Sequence, residues 1–204
     1  TTFAAFVFHC PEEATCDGNG AIKATSFKFL DKLGPKNYRS IVSLTVLNAG
    51  IEKLPPQLKY LKNLEYLDLS HNTIQISSIP LLTKLKVLKL SNNTLKNINL
   101  ANLPKNIEDL DISNNLLTDV PKDWSTLRLL KTLHLNKNIF ECDCDNNNVF
   151  TFKKILEYGT NIPEPVTCHL PKYFADKTLN SINCTLSDII LNDLEGSGDE
   201  DDIF

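Results

Sequence analysis

Six cysteines carry the most reactive side chains of this 204-residue chain, and all of them lie towards its ends. Thiolates bind zinc or pair as disulfides. A zinc site would draw on the last four cysteines and His169, but their spacings match no common paired C-x₂₋₄-C pattern at both ends. The sequence therefore favours disulfides and predicts no metal site and no cofactor. The cysteines are Cys10, Cys16, Cys142, Cys144, Cys168 and Cys184.

Histidine, serine and carboxylate side chains are a second candidate for chemistry. Ser70, His71 and His134 recur beside Asp68 and Asp111 in copies of one repeated phrase, and we expect all five to face outward on neighbouring strands. Catalysis needs a positioned nucleophile or a metal inside a sheltered pocket, which an open surface does not offer. We therefore expect no enzyme, and a sheltered pocket beside His71 or His134 would contradict that.

The phrase that must position these residues is Leu-x-x-Leu-x-Leu-x-x-Asn-x-apolar, and four copies of it fill the middle of the chain. Their asparagines are 21, 22 and 23 residues apart, within the ~20 to 29 residues typical of leucine-rich repeats. A fifth, weaker copy begins at Ile41 and has Ala49 in place of asparagine. The four asparagines are Asn72, Asn93, Asn115 and Asn138.

Apolar residues at the first, fourth and sixth positions of the phrase point inward from a short strand. No single repeat buries that face alone, so neighbouring turns must stack. A buried amide is costly unless it is hydrogen-bonded, so we expect the asparagines to form a ladder to the backbone of adjacent turns. Ala49 cannot join it, and the first turn should rely on the N-terminal cap. The segments between the phrases predict 3₁₀ or extended turns, with Trp124 filling the core.

With its flanking cysteines, the chain resembles secreted and cell-surface leucine-rich repeat proteins over roughly residues 9–186. This resemblance implies an α/β-type solenoid, a curved domain of about five repeats with short parallel strands on its concave face and disulfide-stapled caps. It also implies that Cys142 pairs with Cys168 and Cys144 with Cys184, which leaves Cys10 for Cys16. Many members have four cysteines in the N-terminal cap, and this chain has two.

The predicted organisation is an N-terminal cap (1–40), the repeats (41–140), a C-terminal cysteine cap (141–190) and an acidic tail (191–204). No apolar run approaches the ~20 residues of a membrane span. The apolar start of the chain is either a mature N-terminus or the remnant of a signal sequence, and both favour the secretory route and an extracellular or cell-surface location. Sequons for N-glycosylation begin at Asn92 and Asn183.

The concave face is where this family usually binds, and its outward residues follow from the repeat register. Charges of both signs alternate there, which favours an extracellular protein ligand or receptor over nucleic acid, since a polyanion calls for a clustered basic stripe. The alternative is a solvated surface without a ligand. Dimers occur in the family, so a second copy is another candidate partner. The predicted binding residues are Glu65, Tyr66, Asp68, Lys86, Lys89, Glu108, Asp111, Lys131 and His134.

Residues 193–202 carry six carboxylates and no basic residue, and they should be disordered. Ser197, between two glycines and acidic flanks, resembles a glycosaminoglycan attachment site. The alternatives are a plain linker, leading for example to a membrane anchor, and a segment that docks a basic partner. With the capped repeats, this tail resembles the cell-surface leucine-rich repeat proteoglycan cores of insects, which implies a role in modulating receptor signalling. An adhesive or ligand-binding surface protein without a sugar chain is the competing interpretation.

Overall fold

A computed structural model of the chain describes residues 10–75, 79–142, 144 and 147–184. The acidic tail with Ser197, and Thr185 of the second sequon, lie outside the described residues. No helix among the described residues has both the length and the apolar character that crossing a bilayer requires.

One seven-stranded sheet runs through the molecule, and its strands follow one another in chain order. The first two strands are antiparallel, and every later neighbour is parallel. This confirms the predicted solenoid of short parallel strands. The strands are β1 Ala14–Cys16, β2 Ala21–Ala24, β3 Ser43–Val46, β4 Tyr66–Asp68, β5 Val87–Lys89, β6 Asp109–Asp111 and β7 Thr132–His134.

The core lies behind this sheet, because the fourth-position residues of successive phrases stack in register and are fully buried. They are Leu44, Leu67, Leu88, Leu110 and Leu133. The opposite, convex side is made of short 3₁₀ turns, as the sequence predicts. These turns are η1 Pro56–Tyr60, η2 Leu100–Asn102 and η3 Trp124–Thr126.

Trp124 covers the core rather than filling it. Its side chain is only partly buried, packs against the buried cluster and meets the ring of Tyr158 edge-on, with 4.6 Å between the ring centroids. The expectation that Trp124 fills the core is therefore wrong, because its side chain lies at the margin of the core. Tyr158 is itself largely exposed.

The two ends of the solenoid are closed by caps. The N-terminal cap combines the β1–β2 hairpin with the short helices α1 Phe29–Lys32 and α2 Pro35–Tyr38. The C-terminal cap contains α3 Asn148–Glu157 and a parallel pair of strands, β8 Phe140–Glu141 and β9 Cys168–Leu170, followed by η4 Lys172–Phe174 and η5 Leu179–Ser181.

All six cysteines are joined in disulfides: Cys10–Cys16, Cys142–Cys168 and Cys144–Cys184. These are the pairs that the resemblance implies. The zinc alternative is wrong, because every sulfur is bonded to another sulfur. The Cys142–Cys168 and Cys144–Cys184 bridges hold the C-terminal cap in place, where the last repeat would otherwise expose its apolar end.

Candidate functional site

The concave face is held in place by buried asparagine side chains. Asn115 Oδ1 accepts the backbone N–H of Leu95 at 3.0 Å, in the turn before its own. Its amide group donates to the carbonyls of Leu90 and Ile112 at 3.0 and 3.1 Å. Asn93 and Asn138 make the corresponding bonds. Each asparagine therefore ties its turn to the preceding one, and the strands between them have little freedom to shift.

The first turn is bonded by Asn72 of the next repeat. Asn72 Oδ1 accepts from Ala49 N and Ile51 N at 3.0 and 3.1 Å, and its amide donates to Val46 O at 2.9 Å. The turn also relies on the N-terminal cap, as expected, because β2 pairs in parallel with β3 and Val42 N donates to Gly20 O at 2.9 Å. Each asparagine amide also donates within its own turn, as Asn72 does to Leu69 O and Ser70 O, so Ala49 removes the equivalent donor from Leu47 O, whereas Val46 O is met by Asn72.

A fifth asparagine closes the opposite end, and sequence reasoning missed it. Asn148, the first residue of α3, is fully buried. It accepts from Val120 N at 2.9 Å and donates to Thr118 O at 2.9 Å and Glu141 O at 2.6 Å. Its position just after the Cys-x-Cys element was the available signal, but its distance of ten residues from Asn138 fits no repeat.

The outer row of the concave face consists of paired charges on neighbouring strands. Lys86 Nζ lies 2.8 Å from Glu65 Oε2, and Lys131 Nζ lies 2.6 Å from Glu108 Oε2. The hydrogen bond from Lys131 holds the pKa of the Glu108 carboxyl below its usual value. The hydrogen bond to Glu65 raises the pKa of the Lys86 ammonium. Sequence-predicted binding residues are thus brought together, but as partners of one another.

The middle of the face is centred on Tyr66. Its hydroxyl donates to Asp68 Oδ2 at 3.3 Å, and Lys89 Nζ lies 5.9 Å from its ring centroid. Partial burial raises the pKa of the Tyr66 hydroxyl, the charge of Asp68 raises it further, and Lys89 opposes the rise. Tyr66, Asp68 and Lys89 therefore form one electrostatic unit across two strands.

The aspartates at the fifth position also have a structural task. Asp68 Oδ1 accepts the backbone N–H of Ser70 at 3.0 Å. Asp111 Oδ1 accepts both the N–H and the hydroxyl of Ser113, at 3.0 and 2.6 Å. These bonds fix the point where each strand ends, so a substitution at Asp68 or Asp111 would disturb the backbone as well as the surface charge.

His134 links the concave face to the C-terminal cap. Its Nδ1 lies 2.9 Å from Glu164 Oε2, and its Nε2 lies 3.6 Å from Asp109 Oδ1. Glu164 comes from the loop between α3 and β9, a contact that the repeat pattern has no means of predicting. The C-terminal end of the face is therefore framed by the cap.

The structure does not assemble the serine, histidine and carboxylate set considered above. Ser70 is buried, and its hydroxyl oxygen accepts a hydrogen bond from Ser91, so the expectation that Ser70 faces outward is wrong. His71 occupies a left-handed turn with φ of 58°. Three hollows of about 460, 270 and 320 Å³ in the described part of the chain are lined by other residues than His71 and His134.

The two sequon asparagines lie in different settings. Asn92 is in a left-handed turn at the end of a concave strand, with φ of 55°, and its Oδ1 accepts from the side-chain amide of Asn114. Asn183 is exposed beside the Cys144–Cys184 bridge, and its Oδ1 accepts from Lys153 Nζ at 3.2 Å. In both, the side-chain oxygen has a hydrogen-bond partner.

Comparison with curated proteins finds relatives, although no family model matches the chain. It is 35% identical over 114 residues to the flightless-1 homolog of Caenorhabditis elegans, covering 52% of this chain and 9% of that protein. It is 28% identical over 180 residues to windpipe of Drosophila melanogaster, covering 83% and 26%. It is 30% identical over 185 residues to the oligodendrocyte-myelin glycoprotein of Mus musculus, covering 90% and 37%. The chain thus spans 37% or less of the length of these relatives.

Proposed function

The chain is a leucine-rich repeat protein with disulfide-bonded caps, and we propose that it is a non-enzymatic extracellular module that recognises a protein partner through its concave face. The main support for this proposal is the outer row of the concave face. There Glu65–Lys86 and Glu108–Lys131 are paired across neighbouring strands. Fixed side chains of both signs suit a partner with a complementary mixed surface. Because the asparagine ladder already orders this face, little conformational entropy remains to be lost on binding.

The extracellular location is supported by the three disulfides. Disulfides persist in oxidising compartments and are rare in the cytosol, where thiols are kept reduced. Two of the three bridges close the C-terminal cap, so the folded form depends on them. A cell-surface or secreted protein fits this chemistry.

A finer proposal concerns the tail: the chain is part of a proteoglycan core that carries a glycosaminoglycan on Ser197 and modulates receptor signalling. Its support is the Glu195-Gly196-Ser197-Gly198-Asp199 sequence and the resemblance to proteoglycan cores with capped repeats. The second candidate is an adhesive or ligand-binding surface protein without a sugar chain. Both candidate functions use the concave face, and they differ in whether Ser197 carries a sugar chain.

The concave face is tested with a variant that changes its charge without breaking its backbone bonds. Lys89→Glu is suitable, because Lys89 faces the Tyr66 ring and caps no strand. Lys53→Glu, an exposed lysine on a convex loop, makes the same charge change. Tagged protein is titrated onto the surface of cultured animal cells and displaced with untagged protein. We expect saturable binding that Lys89→Glu weakens by about tenfold or more. Equal weakening by Lys53→Glu, or binding that never saturates, would refute the proposed face.

The proteoglycan proposal is tested by the mass of the protein secreted from animal cells, before and after chondroitinase or heparinase digestion. A polydisperse mass that collapses on digestion, and is absent from Ser197→Ala, supports attachment. A single sharp mass that neither enzyme changes rejects it and leaves the adhesive candidate.

A further inference from the structure

Basic residues recur at one point of successive turns, just before each strand begins. The strand register aligns Ser43, Tyr66, Val87, Asp109 and Thr132. Four residues before each of these the chain has a basic residue, except at Thr83, where Lys84 follows directly. All of these cations are exposed. We call this set the basic edge; it consists of Arg39, Lys62, Lys84, Lys105 and Arg128.

The charges of the basic edge are not balanced by neighbouring carboxylates. Within the part of the chain that the structure describes, the salt-bridged lysines are Lys32, Lys86 and Lys131, and none belongs to this set. Glu65 and Glu108, the carboxylates closest along the chain to Lys62 and Lys105, are already held by Lys86 and Lys131. The basic edge therefore presents one uncompensated positive charge per turn.

Hydrogen bonds fix the backbone from which these cations project. The side-chain amide of Asn63 donates to Arg39 O at 2.7 Å, and that of Asn106 donates to Thr83 O at 2.5 Å. Lys84 Nζ in turn donates to Asn63 Oδ1 at 2.9 Å. The spacing of the edge is thus set by the solenoid and does not depend on mobile loops.

The spacing makes the charges act together. Adjacent turns are separated by roughly the strand spacing of ~4.8 Å, which is shorter than the Debye length of about 8 Å at physiological ionic strength. The potentials of neighbouring cations therefore add instead of being screened from one another. A linear polymer with regularly spaced anionic groups is the ligand that relieves their mutual repulsion along the whole edge.

We propose that the basic edge binds a sulfated glycosaminoglycan. Lysine and arginine pair with sulfate oxygens as they do with phosphate, and the disulfides favour the compartment in which sulfated polysaccharides, not nucleic acids, are the abundant linear polyanions. The edge lies beside the concave face, so a polysaccharide and a protein partner can bind together. This goes beyond the proposed recognition function and does not require a chain on Ser197.

The test compares two triple variants with the same net charge. One is Lys62→Gln/Lys84→Gln/Lys105→Gln, on the basic edge. The other is Lys53→Gln/Lys96→Gln/Lys122→Gln, in which three exposed lysines on the convex side are replaced. The full chain is produced in cells that cannot make glycosaminoglycans, so no attached polymer competes. The probe is a fluorescent heparin octasaccharide, titrated at several salt concentrations.

We expect the edge variant to bind about tenfold or more weakly, with a shallower dependence of log affinity on log salt, because fewer cations release counterions. The heparin affinity of the convex variant should stay within about twofold of that of the parent. Equal losses in both variants would overturn the proposal in favour of net charge alone. Equally tight binding of a desulfated octasaccharide would also overturn it. So would single-stranded DNA that binds the parent as tightly as heparin does and loses as much affinity in the edge variant.

Lys105 also donates to the carbonyls of Leu100 and Ala101, so its replacement can affect η2. The double variant Lys62→Gln/Lys84→Gln leaves those bonds intact and is measured alongside, with thermal unfolding of each protein. A double variant that melts like the parent and still loses several-fold in heparin affinity supports the basic edge. One that melts like the parent and binds heparin as tightly contradicts it.

Discussion

Asn148 accepts a hydrogen bond from the backbone N–H of Val120 at 2.9 Å, three residues after Leu117, whose N–H donates to Asn138 at 3.1 Å. The cap helix thereby adds a second asparagine to the turn that Asn138 already bonds, and the bond from Asn148 to Glu141 O ties that turn to the end of the last repeat. Backbone groups of Thr118, Val120 and Glu141 are thus met by a side chain from α3 instead of by water, so the cap bonds the end of the solenoid as well as covering it.

Asn148→Ala should destabilise the protein by about 2 to 4 kcal/mol, because it leaves a buried N–H and two partly buried carbonyls without this partner. Urea unfolding measures the change. Asn180→Ala, an exposed asparagine in the same cap, is the matched control and should stay within about 0.5 kcal/mol of the parent. Equal effects of the two substitutions would mean that Asn148 does not carry the closure of the last turn.

A substitution at Asn115 distinguishes the contribution of the side-chain donor from that of the side-chain acceptor. Asn115→Asp keeps the oxygen that accepts from Leu95 but removes the amide that donates to three carbonyls, and it buries a carboxylate. We expect a loss of about 3 kcal/mol or more at neutral pH.

The same variant has a defined pH dependence. Burial raises the pKa of the new carboxyl in the folded state above its unfolded value of about 3.9. The penalty is therefore full above the folded pKa and shrinks as the pH falls towards the unfolded value. Urea unfolding of the variant and the parent between neutral pH and about pH 4 checks this; a stability difference that does not change with pH would contradict it.

The strands and the ladder are predictable because the repeat period marks them. The period identifies Asn72 as buried but does not say that it also bonds the preceding turn, where it meets the backbone around Ala49. Asn148 and Glu164 come from the cap, where no period exists. The basic edge lies outside the eleven-residue phrase, in the segments between copies, and these segments differ in length. Its alignment therefore appears only once the strand register is known.

The exposed bridge of the C-terminal cap should be reduced before the buried one. Cys142 and Cys168 are almost fully buried, whereas Cys184 is exposed. A limiting amount of dithiothreitol followed by iodoacetamide and peptide mass spectrometry should first label Cys144 and Cys184, since thiolate attack needs access to sulfur. Labelling of Cys142 and Cys168 at the same rate would mean that the cap opens as a unit.

Removing the same bridge by Cys144→Ser/Cys184→Ser should cost about 4 kcal/mol in the loop-entropy model, because it closes a loop of 40 residues. Cys10→Ser/Cys16→Ser opens a loop of only 6 residues and should cost about 2 kcal/mol. Urea unfolding gives both values. The reverse order would show that the N-terminal hairpin depends on its bridge for more than loop entropy.

The Tyr66 hydroxyl should ionise at higher pH than an ordinary tyrosine, because burial and the charge of Asp68 both raise its pKa. Asp68→Asn should lower this pKa and Lys89→Gln should raise it, since Lys89 opposes the shift. Because the folded pKa lies above the unfolded value of about 10, the associated stability is complete below that pH and is lost as the pH rises through the folded pKa. Tyrosine-labelled NMR titration follows Tyr66 directly. Shifts of the same sign in the two variants would show that general loosening of the face, not the charge of either neighbour, sets this pKa.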